Sequence, residues 1–161
     1  MTTTAESVVK VVSLNGGELI GRTRLQKSFY FLERQGLGFE FHFQYHHYGP
    51  YSDDLTIAAE DASALGLLRE EKRIGSRLQS YSVFTAAIEV DEDDRDDERR
   101  AMLRTLQRYD AITLELAATA DFLAGAGFGD RAWQETAVRK STKASPERVA
   151  KAMALLSEIG R

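Results

Sequence analysis

Three histidines, His42, His46 and His47, stand within one short aromatic stretch and raise the question of a metal site. On a strand, residues four apart share a face but lie about 13 Å from each other, too far to hold one ion. On a helix His42 and His46 would be neighbours, but the local alternation argues for a strand. Neither a cysteine nor an H-E-x-x-H pattern supplies further ligands, so neither metal nor cofactor is expected. The glycines of Gly125-Ala126-Gly127-Phe128-Gly129-Asp130 invite comparison with a phosphate loop. Such a loop follows a strand and opens a helix. Here a helical pattern precedes it, no Lys-Ser/Thr pair follows, and Asp130 would repel an anion. A helix–helix connection is expected instead. No G-x-S-x-G is present, and paired carboxylates carry little information in an acid-rich chain. The expected role is therefore non-enzymatic.

Two charged stretches remain. Arg22, Arg24 and Lys27 form the densest basic patch of the N-terminal half. Cations at a helix start oppose the macrodipole, so helix propensity does not place them there. Two readings stand: a solvated surface balanced by Glu18 or by the acidic run, or a face for an anionic partner. The partner reading requires these side chains to be largely exposed. The second stretch, Glu89 to Glu98, is a near-unbroken run of carboxylates without the glycine of a calcium loop. Like charges this dense resist packing, so a solvated linker or helix entrance is expected.

Composition bounds the elements that must carry these groups. With 161 residues and an ordinary apolar fraction, the chain can form one domain with a substantial core. Its net charge of −4 argues against a dedicated polyanion binder. Cysteine is absent, which permits a cytoplasmic address. Met1 to Lys10 lacks the basic-then-apolar form of a signal peptide, and no run of about 18 apolar residues suggests a membrane span.

Periodicity predicts a first helix over Ala5 to Leu14, stopped by Asn15-Gly16-Gly17. A second follows Gly21, with Thr23 and Gln26 placed to form a capping box and Leu25, Phe29 and Leu32 on one face. Phe39, Phe41, Phe43 and Tyr45 alternate with polar residues, the mark of an extended segment with one buried face. Gly49-Pro50 should turn the chain, with Tyr48 and Tyr51 packing on Phe29 and Leu32. Ser52 should cap a third helix with Leu55, Ala58, Ala59, Ala62 and Leu65 inward. Two strands, Arg69 to Gly75 and Ser76 to Phe84, should form a hairpin. Met102, Leu106, Tyr109, Ile112, Leu116, Ala120 and Leu123 predict one amphipathic helix of about 25 residues. Asp130 should cap a short helix carrying Trp133. Ser145-Pro146 should start the last, with Val149, Met153, Leu156 and Ile159 as its stripe. The expected class is mainly α with a small β-hairpin. A winged-helix-like unit over 1–88 and an acidic linker or helix entrance over 89–98 lead to a helical unit over 99–161, expected to pack as one domain.

Several short motifs occur in this order: Asn15 to Leu32, Tyr45 to Leu55, Ala64 to Leu68, Leu114 to Thr119 and then Trp133. Together they resemble the YwgA-like family of small bacterial and archaeal proteins over nearly the whole chain. Arg24-Leu25-Gln26-Lys27 with Tyr48-Gly49-Pro50 resembles, more distantly, the SocA-like Panacea domain. That resemblance implies toxin neutralisation, and for the SocA type an adaptor that delivers a toxin to a protease. The implication passes only to Leu25, Gln26, Lys27, Tyr48, Gly49 and Pro50; the C-terminal half departs from the pattern.

The expected function is a protein-interaction module, antitoxin-like or a proteolytic adaptor, binding through Arg22, Arg24, Leu25, Gln26, Lys27, Tyr48, Gly49, Pro50 and Tyr51. The alternative is a winged-helix transcriptional regulator. Its third helix would carry Asp53, Asp54, Glu60 and Asp61 and no cation, so DNA affinity should be weak and non-specific. No membrane partner is expected, and the C-terminal helices offer a route to a homodimer.

Overall fold

In the computed structural model, which describes residues 3–161, α1 (Thr4–Leu14) opens the chain. Met1 and Thr2, part of the segment considered for a leader, lie outside the described residues. Thr3 and Glu6 close a reciprocal capping box on α1. Strand β1 (Glu18–Ile20) leads into α2 (Arg22–Arg34). A hairpin of β2 (Gln44–His46) and β3 (Gly49–Tyr51) precedes α3 (Asp53–Ala64). Next come β4 (Leu68–Ile74) and β5 (Ser80–Ala86), then α4 (Asp96–Gln107) and α5 (Ala111–Leu123). A π-helical turn over Ala124–Phe128 leads through a short 3₁₀ turn to α6 (Ala132–Arg139) and α7 (Pro146–Glu158).

The class is α+β, which corrects the expectation of a mainly α chain with one hairpin. Strands β4 and β5 pair as expected, but β1 joins them in a three-stranded antiparallel sheet of order β1-β5-β4. A three-residue strand is too short to show period-two alternation, and its partner lies more than sixty residues away. The second sheet, β2–β3, also differs from the expectation. Gly49-Pro50 is strand, and the turn falls at His47-Tyr48. The aromatic alternation does hold: Phe41 is buried and Phe43 and Tyr45 are half-buried, while His42, Gln44 and His46 face out.

Two apolar clusters form the interior. One gathers α1, α3, β1 and the three-stranded sheet around Val8, Val12, Leu19, Leu55 and Phe84. The other gathers α5 and α7 around Leu114, Leu116, Ala117 and Leu155. Helix α2 feeds both, with Leu25, Phe29 and Leu32 in the first and Tyr30 and Phe31 in the second. The 29-residue helical stretch Ala111–Arg139 is long and apolar enough to span a membrane, but more than half of its most apolar window is buried inside the fold. Its α5 part serves as a core helix.

The long C-terminal helix is in fact two. Asp110 breaks it and caps α5, accepting a bond from the Thr113 amide at 2.8 Å. Apolar periodicity runs through the break and conceals it. Neither Thr23 nor Asp130 caps a helix by its side chain. Leu65 is 67% exposed, because α3 ends there. In α7 Ser145 caps as expected, but Ala152, Leu155 and Leu156 carry the burial, and Met153 faces solvent.

The acidic run is only partly a solvated linker. Asp96 is buried at the start of α4, 3.0 Å from Lys10 and 2.7 Å from Arg99. Asp93 joins them, 3.2 Å from Lys10 and 2.9 Å from Arg99. The run is acidic because two of its carboxylates neutralise cations that α1 and α4 bury. Burial pushes both carboxyls up, but hydrogen bonds and cations outweigh it. The Arg95 amide, Lys10 and Arg99 hold Asp93 down at about 2. The Asp93 amide, Arg99 and Lys10 hold Asp96 below its ordinary value.

Asp96→Asn should therefore cost about 3 kcal/mol, as when one partner of a buried pair is removed. A folded-state pKa below the unfolded value of about 3.9 supplies stability that is full above that value and lost as pH falls through the folded one. Urea denaturation should show the gap between wild type and Asp96→Asn narrowing from about pH 4 toward 2. A gap independent of pH would place its origin elsewhere.

Candidate functional site

Because α2 is buried from Leu25 to Leu32, its polar side chains must find internal partners. Gln26, expected in a capping box, grips Ser52 instead. Its carbonyl oxygen accepts from the Ser52 amide at 2.8 Å, and its Nε2 donates to the Ser52 carbonyl at 3.0 Å. Nε2 also reaches Thr56 at 3.1 Å, and the Tyr51 and Thr56 hydroxyls share a bond at 2.5 Å. Gln26 thus fixes the junction between β3 and α3.

Lys27 is completely buried, and its Nζ donates to the Pro50 carbonyl at 2.8 Å. Around it stands a group the sequence separates widely. Glu115 of α5 is buried, with Lys140 at 3.2 Å and Lys143 at 2.9 Å. Lys140 also donates to the His47 carbonyl. Burial lowers the Lys27 pKa to about 8; Glu115 opposes the shift, and Lys140 and Lys143 add to it. The arrangement holds the β2–β3 hairpin by its carbonyls from two sides. Lys140 and Lys143 are paired with Glu115, and Lys27 is sealed beneath Pro50.

Gly49 completes the corner. Its φ is +85°, and a Cβ there would lie 2.4 Å from Thr119 Oγ1. That hydroxyl is buried and lacks a hydrogen-bond partner among the described residues. Tyr48 is 55% exposed, with the Lys143 ammonium 4.9 Å from its ring centre. Neither tyrosine packs on Phe29 and Leu32 as their spacing suggested: Tyr51 bonds to Thr56, and Tyr48 faces out.

The expected basic partner face does not form. Lys27 is inside, and the Arg24 guanidinium donates to the carbonyls of Leu106 at 3.0 Å and Tyr109 at 2.5 Å. It satisfies the open C-terminal end of α4, which explains a cation at the start of α2. Leu25 is core. Arg22 alone of the three cations is exposed, and it pairs with Glu70 at 2.7 Å. Among the described residues no group of three His, Asp or Glu side chains could hold a metal.

What the chain presents instead is the outer face of α3. Asp53, Asp54, Glu60 and Asp61 are all exposed, and none makes a salt bridge or side-chain hydrogen bond among the described residues. They surround Ile57, 54% exposed, and extend to Leu65. A cleft of about 230 Å³ adjoins this face, bounded by Asp54, Ile57 and Phe39. Ser52 caps the helix from inside, so the Gln26 grip sets the orientation of this surface.

Two substitutions test the hairpin clamp. Gly49→Val should lose about 1–3 kcal/mol by strain at its positive φ, with the Thr119 contact adding to the loss; thermal melting reads it. For Lys27, a pKa lowered in the folded state means the unfolded chain binds more protons between about pH 8 and its own value of about 10.4. Wild-type stability should rise with pH across that window. Lys27→Met should lack this rise in urea denaturation, and equal slopes would show that Lys27 titrates normally.

Glu115, Lys140 and Lys143 were not singled out from the sequence. One signal was present: Glu115 is one of only two acids in the otherwise apolar Ala111–Leu123. No family model matches the chain, and no solved structure matches it. Among curated proteins it is similar to "Uncharacterized protein YwgA" of Bacillus subtilis (strain 168), 28% identical over 156 residues, which cover 94% of this chain and 93% of the relative. This near full-length similarity supports the resemblance to YwgA-like proteins carried by the motifs, and the SocA-like Panacea resemblance has no counterpart in these comparisons.

Proposed function

We propose that this chain is a non-enzymatic protein-interaction module that docks a basic partner segment on the outer face of α3. The observation that carries the reading is the set of four unpaired carboxylates around exposed Ile57, continuing to Leu65. A solvated helix face has no need of an exposed isoleucine at its centre and an exposed leucine at its end. Apolar anchors within a polar frame are the usual anatomy of a protein-binding patch. The sign of the charge selects a partner with lysines or arginines flanking an apolar side chain, and it disfavours nucleic acid, whose phosphates the same carboxylates repel. Of the hairpin cations, Arg73 pairs with Glu71 and Lys72 with Glu70, while Arg69 and Arg77 are exposed without a salt bridge among the described residues. An adaptor role is compatible with such a surface, because the Gln26 grip on Ser52 fixes the start of α3 from inside while leaving its outer face free.

The test compares wild type with an Ile57→Asp, Leu65→Asp double variant as baits, using quantitative mass spectrometry of captured proteins. Both side chains are exposed, so melting should change little, within about ±0.5 kcal/mol per site. A partner lost from the variant but kept by a Leu78→Ser control at the hairpin tip supports the reading, provided its capture weakens as salt rises. Identical partner sets from variant and wild type would remove α3 as the docking face. Nanomolar, sequence-selective DNA binding in an anisotropy titration would overturn the module in favour of a regulator.

A further inference from the structure

Helix α2 ends beside a second feature, independent of the α3 face. Its last turn, the aromatic segment and the end of α5 enclose a cavity of about 360 Å³. Ligand pockets begin at roughly this size, ~300–1,000 Å³. Three phenylalanines, Phe41, Phe43 and Phe122, line it. Its floor is a buried ionic group. Asp121 accepts from the Tyr30 hydroxyl at 2.6 Å and from Arg34 Nε at 2.8 Å, and its other oxygen accepts from Arg161 Nε at 3.2 Å. Asp121 is thereby saturated and neutralised, and it has little left to offer a ligand.

Two groups on the wall are not saturated. Arg34 uses only Nε on Asp121; its side chain is 40% exposed, and its two terminal amino groups make no hydrogen bond among the described residues. Those groups form a fork suited to a carboxylate. Glu33 uses one oxygen, Oε1, to accept from the amides of Phe39 at 3.2 Å and Phe41 at 3.0 Å. Its second oxygen has no donor among the described residues. Arg34 and Glu33 both line the cavity, so it presents a guanidinium, a carboxylate and aromatic walls. His42 adds a polar edge at the exposed side. The rim is formed by Gly125 and Ala126, small residues in the kinked turn that follows α5.

We infer that this cavity binds a small zwitterion with an apolar ring, of the aromatic amino-acid type: carboxylate on Arg34, ammonium on Glu33 and ring against Phe41, Phe43 and Phe122. A simple anion would gain Arg34 but face Glu33 unpaired, and a simple cation the reverse. A ligand carrying both charges satisfies both groups, which is what makes the site selective.

The experiment follows backbone amide shifts of the isotope-labelled full chain by NMR as each of three probes is titrated: L-phenylalanine, phenylacetate and 2-phenylethylamine. Saturable shifts confined to the aromatic segment and the Phe122–Ala126 turn are expected with L-phenylalanine. Each single-charge analogue should bind at least about 10-fold more weakly, since a charge-assisted hydrogen bond contributes roughly 1.5–3 kcal/mol and 1.4 kcal/mol is a factor of ten. Glu33→Gln keeps a carbonyl oxygen for the Phe39 and Phe41 amides while removing the charge, so it should fold and lose the preference for L-phenylalanine over phenylacetate. Arg34→Gln should lose the preference over 2-phenylethylamine; if losing the Asp121 contact unfolds it, Glu33→Gln decides alone. Absence of saturable shifts with L-phenylalanine at about 10 mM, equal affinity for the three probes, or shifts mapping away from the cavity would each overturn the inference. None of these outcomes depends on the α3 face, so this site and the docking face stand or fall separately.

Discussion

Helix α2 lies between two apolar clusters, and that position constrains everything around it. Where a helix is buried, as this one is from Leu25 to Leu32, long polar side chains cannot reach water and must end on partners inside the protein. Arg24 ends on the carbonyls that close α4, Gln26 on both backbone groups of Ser52, and Lys27 on the Pro50 carbonyl. These bonds tie one helix to two segments, the α4–α5 junction and the β3–α3 corner. The β2–β3 hairpin is only three residues on each side, and such a hairpin has marginal stability of its own. It persists because Lys27 and Lys140 hold its carbonyls while Gly49 lets it approach Thr119.

The burial of cations has a consequence for the surface. With Lys10, Arg24, Lys27 and Arg99 turned inward or onto backbone carbonyls, several of the chain's positive charges do not face a partner. Asp93 and Asp96 neutralise Lys10 and Arg99, and buried Glu115 pairs with Lys140 and Lys143 beside Lys27. The acids of α3 have no such duty and remain outward. A modest net charge of −4 therefore becomes a locally strong acidic face.

The aromatic segment between α2 and β2 joins the two candidate sites. Phe41 borders both the cleft beside Ile57 and the cavity beside Arg34, and its amide is held by Glu33. Its ring meets Phe29 edge-on, with centres 5.4 Å apart, which anchors the segment to the core. One wall thus serves the α3 cleft on one side and the open cavity beside Arg34 on the other.

Local signals were sufficient for several elements. The alternation of Phe41, Phe43 and Tyr45 predicted one buried face, Ser52 and Ser145 marked true helix starts, and the β4–β5 hairpin was legible from its sequence. These depend on periodicity and capping, which act over a few residues. The third strand of the sheet and the whole Glu115 group were not legible, because each depends on a partner far along the chain, and the Asp110 break was hidden by the apolar periodicity that runs through it. The basic patch shows the difference most clearly. Arg22, Arg24 and Lys27 are neighbours in sequence and looked like one surface, yet one pairs with Glu70, one closes α4 and one is sealed under Pro50. Residue type and spacing determined that a charge was present and on which element; only tertiary packing decided whether that charge met water, a carboxylate or a backbone carbonyl, since burial depends on what the rest of the chain lays over it.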